Sequence, residues 1–160
     1  MYIDYKAFDR DWIVPRFEFG YGLSYTRFSY SALDITPLNT SSPLSHFPDP
    51  DVPIIQSGHP ELWGDIFNIS CSVANVGSVA GAEIAQLYLG ITMAPIRQLR
   101  GFEKVFIQPN ETREVSFLLT RRDVSVWDVV AQEWKVQVGE SVGVWVGGSS
   151  RDLRLNGTVL

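Results

Sequence analysis

From residue 64 onward, apolar and polar positions alternate in short runs. In residues 66–76 the apolar set is Phe67, Ile69, Cys71 and Val73, every second residue. A period of two predicts a strand with one buried face. Asn75-Val76-Gly77-Ser78 then offers a turn. Residues 83–89 predict a second strand with Ala85, Leu87 and Leu89 inward. Residues 102–107 predict another, closed by Gln108-Pro109-Asn110-Glu111, and residues 112–119 follow with Val115, Phe117 and Leu119 alternating. Residues 133–138 and 141–146 are separated by Gly139-Glu140, a hairpin signal, with Val142, Val144 and Val146 sharing a face. Residues 29–35 predict the first strand and 153–159 the last. One break falls at 120–128, where Thr120 is placed to cap a helical turn and Trp127 to plug the core at a corner between strands. Seven or eight short strands spaced by turns predict an all-β chain, an immunoglobulin/fibronectin type III-like antiparallel β-sandwich.

Two other regions break this rhythm. Residues 1–26 carry Tyr2, Tyr5, Phe8, Trp12, Phe17, Phe19, Tyr21 and Tyr25 without sustained helical or strand periodicity. So many rings in one segment predict a stretch that packs on something. Residues 37–62 hold Pro37, Pro43, Pro48, Pro50, Pro53 and Pro60. Proline interrupts both ladders and helices, so this is a long surface loop, either a lid over the sandwich or a partly disordered segment. The division is then a linker segment over 1–26 and a sandwich over 27–160 with the loop inserted.

Composition narrows the partners. The 160 residues carry a net charge of −5. An acidic balance argues against nucleic acid, which needs a basic face, and against an anionic membrane surface. Cys71 stands alone, so no internal disulfide forms, and its place on an apolar face makes it a small buried hydrophobe. Of five asparagines, four head an Asn-x-Ser/Thr triplet: Asn39, Asn68, Asn110 and Asn156. That excess points to a secreted, glycosylated protein. The first residues lack the basic start and apolar stretch of a signal peptide, so the expectation is a fragment of a longer chain.

Several ordered motifs carry a resemblance. Pro15-Arg16-Phe17-Glu18-Phe19-Gly20-Tyr21-Gly22-Leu23-Ser24-Tyr25-Thr26 resembles the segment that joins the catalytic part of fungal glycoside hydrolase family 3 β-glucosidases to their C-terminal fibronectin type III-like domain. Val73-Ala74-Asn75-Val76-Gly77-Ser78-Val79-Ala80-Gly81-Ala82-Glu83 and Gln86-Leu87-Tyr88-Leu89 follow in the family's order. So do Arg97-Gln98-Leu99-Arg100-Gly101-Phe102-Glu103-Lys104-Val105, Leu119-Thr120-Arg121-Arg122-Asp123-Val124-Ser125-Val126-Trp127-Asp128 and Val146-Gly147-Gly148-Ser149-Ser150-Arg151-Asp152-Leu153. The resemblance implies an accessory domain of an enzyme that hydrolyses terminal β-D-glucosyl residues in cellulose and oligosaccharide breakdown. Its partners would be the catalytic domains, which supply an Asp nucleophile within a Ser-Asp-Trp-type motif and a Glu acid/base. Neither motif matches here, so no catalytic residue is expected and the chain alone is inactive.

The residues themselves agree. Retaining hydrolysis needs two carboxylates about 5 Å apart in a sugar-holding pocket. Glu103, Glu111, Glu114, Asp123, Asp128 and Glu133 lie in strands or turns beside basic residues and read as ion pairs or turn caps. His46 and His59 both fall in the proline-rich loop as solvated residues, so no metal set, catalytic triad or cofactor is expected. Trp63, Trp134 and Trp145 are open to two readings, sugar-stacking platforms or core and interdomain contacts. Trp145 is favoured as a contact. Phe17, Phe19, Tyr21 and Tyr25 are expected with it at the interdomain interface, and glucan or oligosaccharide is a further candidate partner of the chain. The rival class is an autonomous carbohydrate- or cell-wall-polymer-binding module.

Overall fold

The computed structural model describes residues 2–38 and 43–160. Among these, nine strands alternate with turns: β1 (Phe28–Pro37), β2 (Asp65–Asn75), β3 (Gly81–Gly90), β4 (Gln98–Ile107), β5 (Thr112–Thr120), β6 (Ser125–Asp128), β7 (Glu133–Val136), β8 (Val142–Gly147) and β9 (Leu153–Val159). They form a three-stranded sheet β1-β2-β5, a four-stranded sheet β4-β3-β8-β9 and a two-stranded ribbon β6-β7. All pairings are antiparallel.

The period of two explains the packing. Ile69, Cys71 and Val73 on β2 and Val115, Phe117 and Leu119 on β5 meet Ala85, Leu87 and Leu89 on β3 and Val142, Val144 and Val146 on β8. Each large side chain removed from water in this layer contributes roughly 1.5–3 kcal/mol. The expected all-β sandwich is the observed fold.

β3 departs from simple alternation, because Ala85 to Leu89 are buried without a break. Gln86 and Tyr88 point away from the core yet are covered by the N-terminal segment, which runs over this outer face as a strap. Its helix α1 (Tyr5–Arg10) is too short to stand alone. Tertiary contacts hold it instead. The Tyr5 ring stacks on Phe19 at 4.5 Å and meets Tyr88 edge-on at 6.1 Å. The Asp9 carboxylate lies 3.2 Å from both Arg97 and Arg151. A helix of this length shows no periodicity in sequence, which is why none was expected.

Two further expectations are corrected in the strand region. Gly139-Glu140 does not close a hairpin: β7 pairs with β6, and β8 pairs with β3 and β9. The local turn signal loses to burial, since β8 must place its three valines in the core beside β3. The true hairpin joins β6 to β7, where an Asp128 oxygen accepts the N–H groups of Val130 and Ala131 at 2.9 and 3.0 Å. Trp127 is no core plug. It is 44% exposed and meets Trp134 edge-on, ring centres 5.3 Å apart, while Val124 fills the corner. The capped turn before it does form: in the 3-10 turn Arg121–Val124, Asp123 accepts from the Thr120 N–H and hydroxyl at 2.9 and 2.8 Å.

The described part of the proline-rich loop is a packed lid. Leu44 joins the core edge, Leu62 is buried in the 3-10 turn Pro60–Trp63, and the Val136 N–H donates to the His46 carbonyl at 2.8 Å. Nor are both histidine rings merely solvated. His59 Nε2 donates to the Asp49 carbonyl at 2.9 Å while Nδ1 accepts from the Glu61 N–H, and His46 Nδ1 lies 3.1 Å from the Val136 carbonyl.

Candidate functional site: an aromatic face beside the strap

The strap has an inner and an outer layer. Inside, Gln86 Nε2 donates to the carbonyl oxygens of Gly20 and Gly148, at 3.0 and 2.7 Å, and Gln86 Oε1 accepts from the Tyr88 hydroxyl at 2.6 Å. Glu18 accepts from the Ser149 hydroxyl at 2.9 Å, and the Ser150 N–H donates to the Phe19 carbonyl. These bonds fix the backbone so that the following residues face outward. Outside, Phe17 and Tyr21 rest on each other at 5.3 Å, and Tyr25 is fully exposed.

Next to them lies a cleft of about 870 Å³ walled by Tyr21, Leu23, Tyr25, Ile84 and Lys104. Its far edge continues onto β4. There Phe102, Lys104 and Phe106 lie on the outer face, opposite Gln86, Ile84 and Ala82 of β3. Phe102 is 68% exposed and Phe106 58%. Rings and aliphatic groups thus extend from the strap across the sheet edge without cover, the pattern of a contact surface.

The carboxylates at this face are engaged. Glu83 accepts from the Tyr30 hydroxyl at 2.8 Å, and Arg154 binds Asp152 through both Nε and Nη2. Burial, reinforced by Glu83, drives the Tyr30 hydroxyl far above its ordinary range. Elsewhere Glu111 pairs with Arg113 at 2.6 Å and accepts the Gln108 N–H, while Glu103 accepts the Ser116 N–H at 3.2 Å. Burial pushes the Cys71 thiol up to about 11, with Glu103 and Glu114 adding to the effect. A thiol so shielded behaves as an apolar core atom. Among the described residues no cluster of three or more His, Cys, Asp or Glu is arranged to hold a metal.

The structure brings Phe17, Tyr21 and Tyr25 to this face, while Phe19 stacks on the buried Tyr5 ring. Trp145 lies apart, on β8 between Tyr88 and Asn156. Trp63 is exposed, with its Nε1 donating to the Ser57 carbonyl, and Trp134 lies beneath the Arg122 guanidinium at 3.1 Å. Of the glycosylation triplets, Asn110 and Asn156 are exposed, Asn68 is half-buried, and Asn39 lies outside the described residues. Sequence reasoning missed Ile84, Phe102 and Phe106. Their signal was there: Phe102-Glu103-Lys104-Val105-Phe106 places rings on the face opposite Val105, so neither side of β4 reads as solvent.

Residues 83–150 match the fibronectin type III-like domain family, so the sandwich and its sequence define the same class of module. Along 98% of its length the chain is 54% identical to a probable β-glucosidase M of Aspergillus niger, of which it spans 20%. It matches the crystal structure of a β-D-glucoside glucohydrolase from Trichoderma reesei with a TM-score of 0.87 and 41% identity, covering 99% of this chain and 22% of that one. A glycoside hydrolase family 3 β-glucosidase from Neurospora crassa matches with a TM-score of 0.84 and 27% identity, covering 99% of this chain and 27% of that one. Residues 83–150 carry the fibronectin type III-like match, and nearly the whole chain is related to fungal β-glucosidases, spanning about a fifth of the curated relatives' length.

Proposed function

We propose that this chain is the accessory domain of a secreted β-glucosidase and that it docks on the catalytic domains through the strap and the outer face of β4. The parent hydrolyses terminal β-D-glucosyl residues, and the chain supplies stability rather than a reacting group. One observation carries this reading: Tyr25 in the cleft wall and Phe102 and Phe106 on the adjoining outer face of β4 are all exposed, in a chain that spans one fifth of its relatives' length. The remainder of such a polypeptide is the partner that would cover them. The engagement of the cleft's carboxylates by hydroxyl and guanidinium groups supports a contact role.

The test uses the full-length polypeptide. Phe102→Asp with Phe106→Asp is compared with Leu118→Asp, an exposed apolar residue on β5 of the other sheet. The double substitution is expected to lower Tm by several degrees and shorten the half-life of aryl-glucosidase activity, while Leu118→Asp leaves both unchanged. Equal behaviour of the two variants overturns the docking face. Retention of the isolated chain on cellulose would favour the binding-module class instead.

A further inference from the structure

Asn156 and Trp145 form a pair that the docking face does not use. β9 is the edge strand of the four-stranded sheet, and its Arg154, Asn156 and Thr158 are exposed while Val159 is buried. Asn156 lies directly opposite Trp145 on β8. Residues opposed in this way have Cβ atoms about 4.5–5.5 Å apart, within reach of a sugar ring linked to the asparagine. The indole lies low on the sheet over two glycines. A Cβ at Gly90 would stand 2.7 Å from its six-membered ring, and one at Gly143 would overlap it. These glycines give the ring a flat bed and leave it half-buried. The ring thus leans over its own strand and β3, where Tyr88 is already covered by Tyr5, and Asn156 stands beside Trp145 on the opposite, β9 side.

Asn156-Gly157-Thr158 is an acceptor triplet on this exposed edge. We propose that Asn156 carries an N-linked glycan whose first sugar packs its apolar face on Trp145. In the modification, the Asn156 carboxamide nitrogen attacks the anomeric carbon of a lipid-pyrophosphate-linked oligosaccharide. An N–C bond forms, the sugar–phosphate C–O bond breaks, the amide gives up one proton, and the lipid pyrophosphate leaves. Aromatic rings gain contact area on such a face while the sugar's hydroxyls stay in water. The glycan also shields the sheet's open β9 edge, a strand position that otherwise invites pairing with another chain. The proposal rests on the secreted reading above.

The full-length polypeptide, secreted from a yeast host, is treated with peptide N-glycosidase in heavy-oxygen water and its peptides are weighed. The expected result is heavy Asp in place of Asn156. Asn110, on the exposed β4–β5 turn, serves as the internal reference. Label at Asn110 without label at Asn156 overturns this proposal alone; absence of label from every triplet overturns the secreted reading with it. Packing on Trp145 is read separately. Removing the sugars is expected to lower Tm by a few degrees in the parent and to leave it unchanged in Trp145→Leu, whereas equal shifts overturn the stacking. Nuclear Overhauser contacts between the indole and the first sugar in the unsubstituted protein decide the same point should the variant fold poorly: their presence supports the packing and their absence overturns it.

Discussion

Gln86, buried in the middle of β3, donates to the carbonyl oxygen of Gly20, 66 residues earlier in the chain. Gly20 adopts φ +80°, and a Cβ there would overlap the carboxamide. The strap can approach the sheet this closely because the residue is glycine. The same Gln86 nitrogen reaches Gly148 and its oxygen takes the Tyr88 hydroxyl, so one side chain joins strap, β3 and the β8–β9 turn.

Gln86→Ala leaves the buried Tyr88 hydroxyl and the less buried Gly20 and Gly148 carbonyls without this partner. The expected loss is about 3 kcal/mol, the order set by unsatisfied buried polar groups. Urea unfolding of the purified chain checks it. Limited proteolysis should cut within residues 11–26 faster than in the parent, because the strap loses its central anchor.

Asn75 is 1% exposed and serves two oxygen acceptors and two donors. Its Oδ1 accepts from the Thr26 hydroxyl and the Gly77 N–H, at 2.6 and 3.0 Å, and its Nδ2 donates to the Val79 and Ile107 carbonyls, at 2.8 and 3.0 Å. It ties the strap's end, the β2–β3 turn and β4 together. Asn75→Asp keeps the acceptors but presents oxygen to two carbonyls. Both Asn75→Ala and Asn75→Asp should lower stability by about 3 kcal/mol, with Asp no better than Ala. Thermal melts of the three proteins at neutral pH decide this.

Asp9 is shared by Arg97 and Arg151, the latter also donating to the Ile13 carbonyl at 2.8 Å. Asp9→Asn removes the only charge between two guanidinium groups. Both arginines keep partial access to water, so the cost should be about 2 kcal/mol, below that of a fully buried broken pair. Added salt should reduce the difference from the parent, measured as the shift in urea midpoint at low and high ionic strength.

Alkaline pH should destabilise the chain. Burial raises the Cys71 thiol to about 11 from an ordinary 9.0, and burial likewise raises the hydroxyls of Tyr30 and Tyr88 far above 10.0. The unfolded chain then loses these protons before the folded one. Stability is fully present below pH 9 and falls as pH rises through 11. For Cys71 alone the loss is up to about 3 kcal/mol, at about 1.4 kcal/mol per unit. Urea midpoints measured between pH 8 and 11 should fall, and Cys71→Ala should flatten the decline without abolishing it. An unchanged slope in that variant removes the thiol from the account.

The core was legible in the sequence because it is written residue by residue. Val115, Phe117 and Leu119 alternate, and every one of them faces the sheet opposite. Which strands pair was not legible in the same way. Gly139-Glu140 looks like a hairpin turn, yet β7 turns back onto β6, since the choice depends on where β8 can bury its valines. Trp127 shows the same limit. Its size argued for burial, but the core slot at that corner was already taken by Val124.

The aromatic character of residues 1–26 and the acceptor triplets were visible as composition, while their distribution in space was not. Sequence alone determined that two sheets would close over an apolar layer, because a period of two admits one inward face per strand. Only the tertiary structure decided that Tyr5 and Phe19 would roof Tyr88 while Tyr25, Phe102 and Phe106 stay open, and that Asn156 would stand opposite Trp145. Those neighbours are far apart along the chain, so their meeting depends on sheet order and register, and no local pattern encodes either.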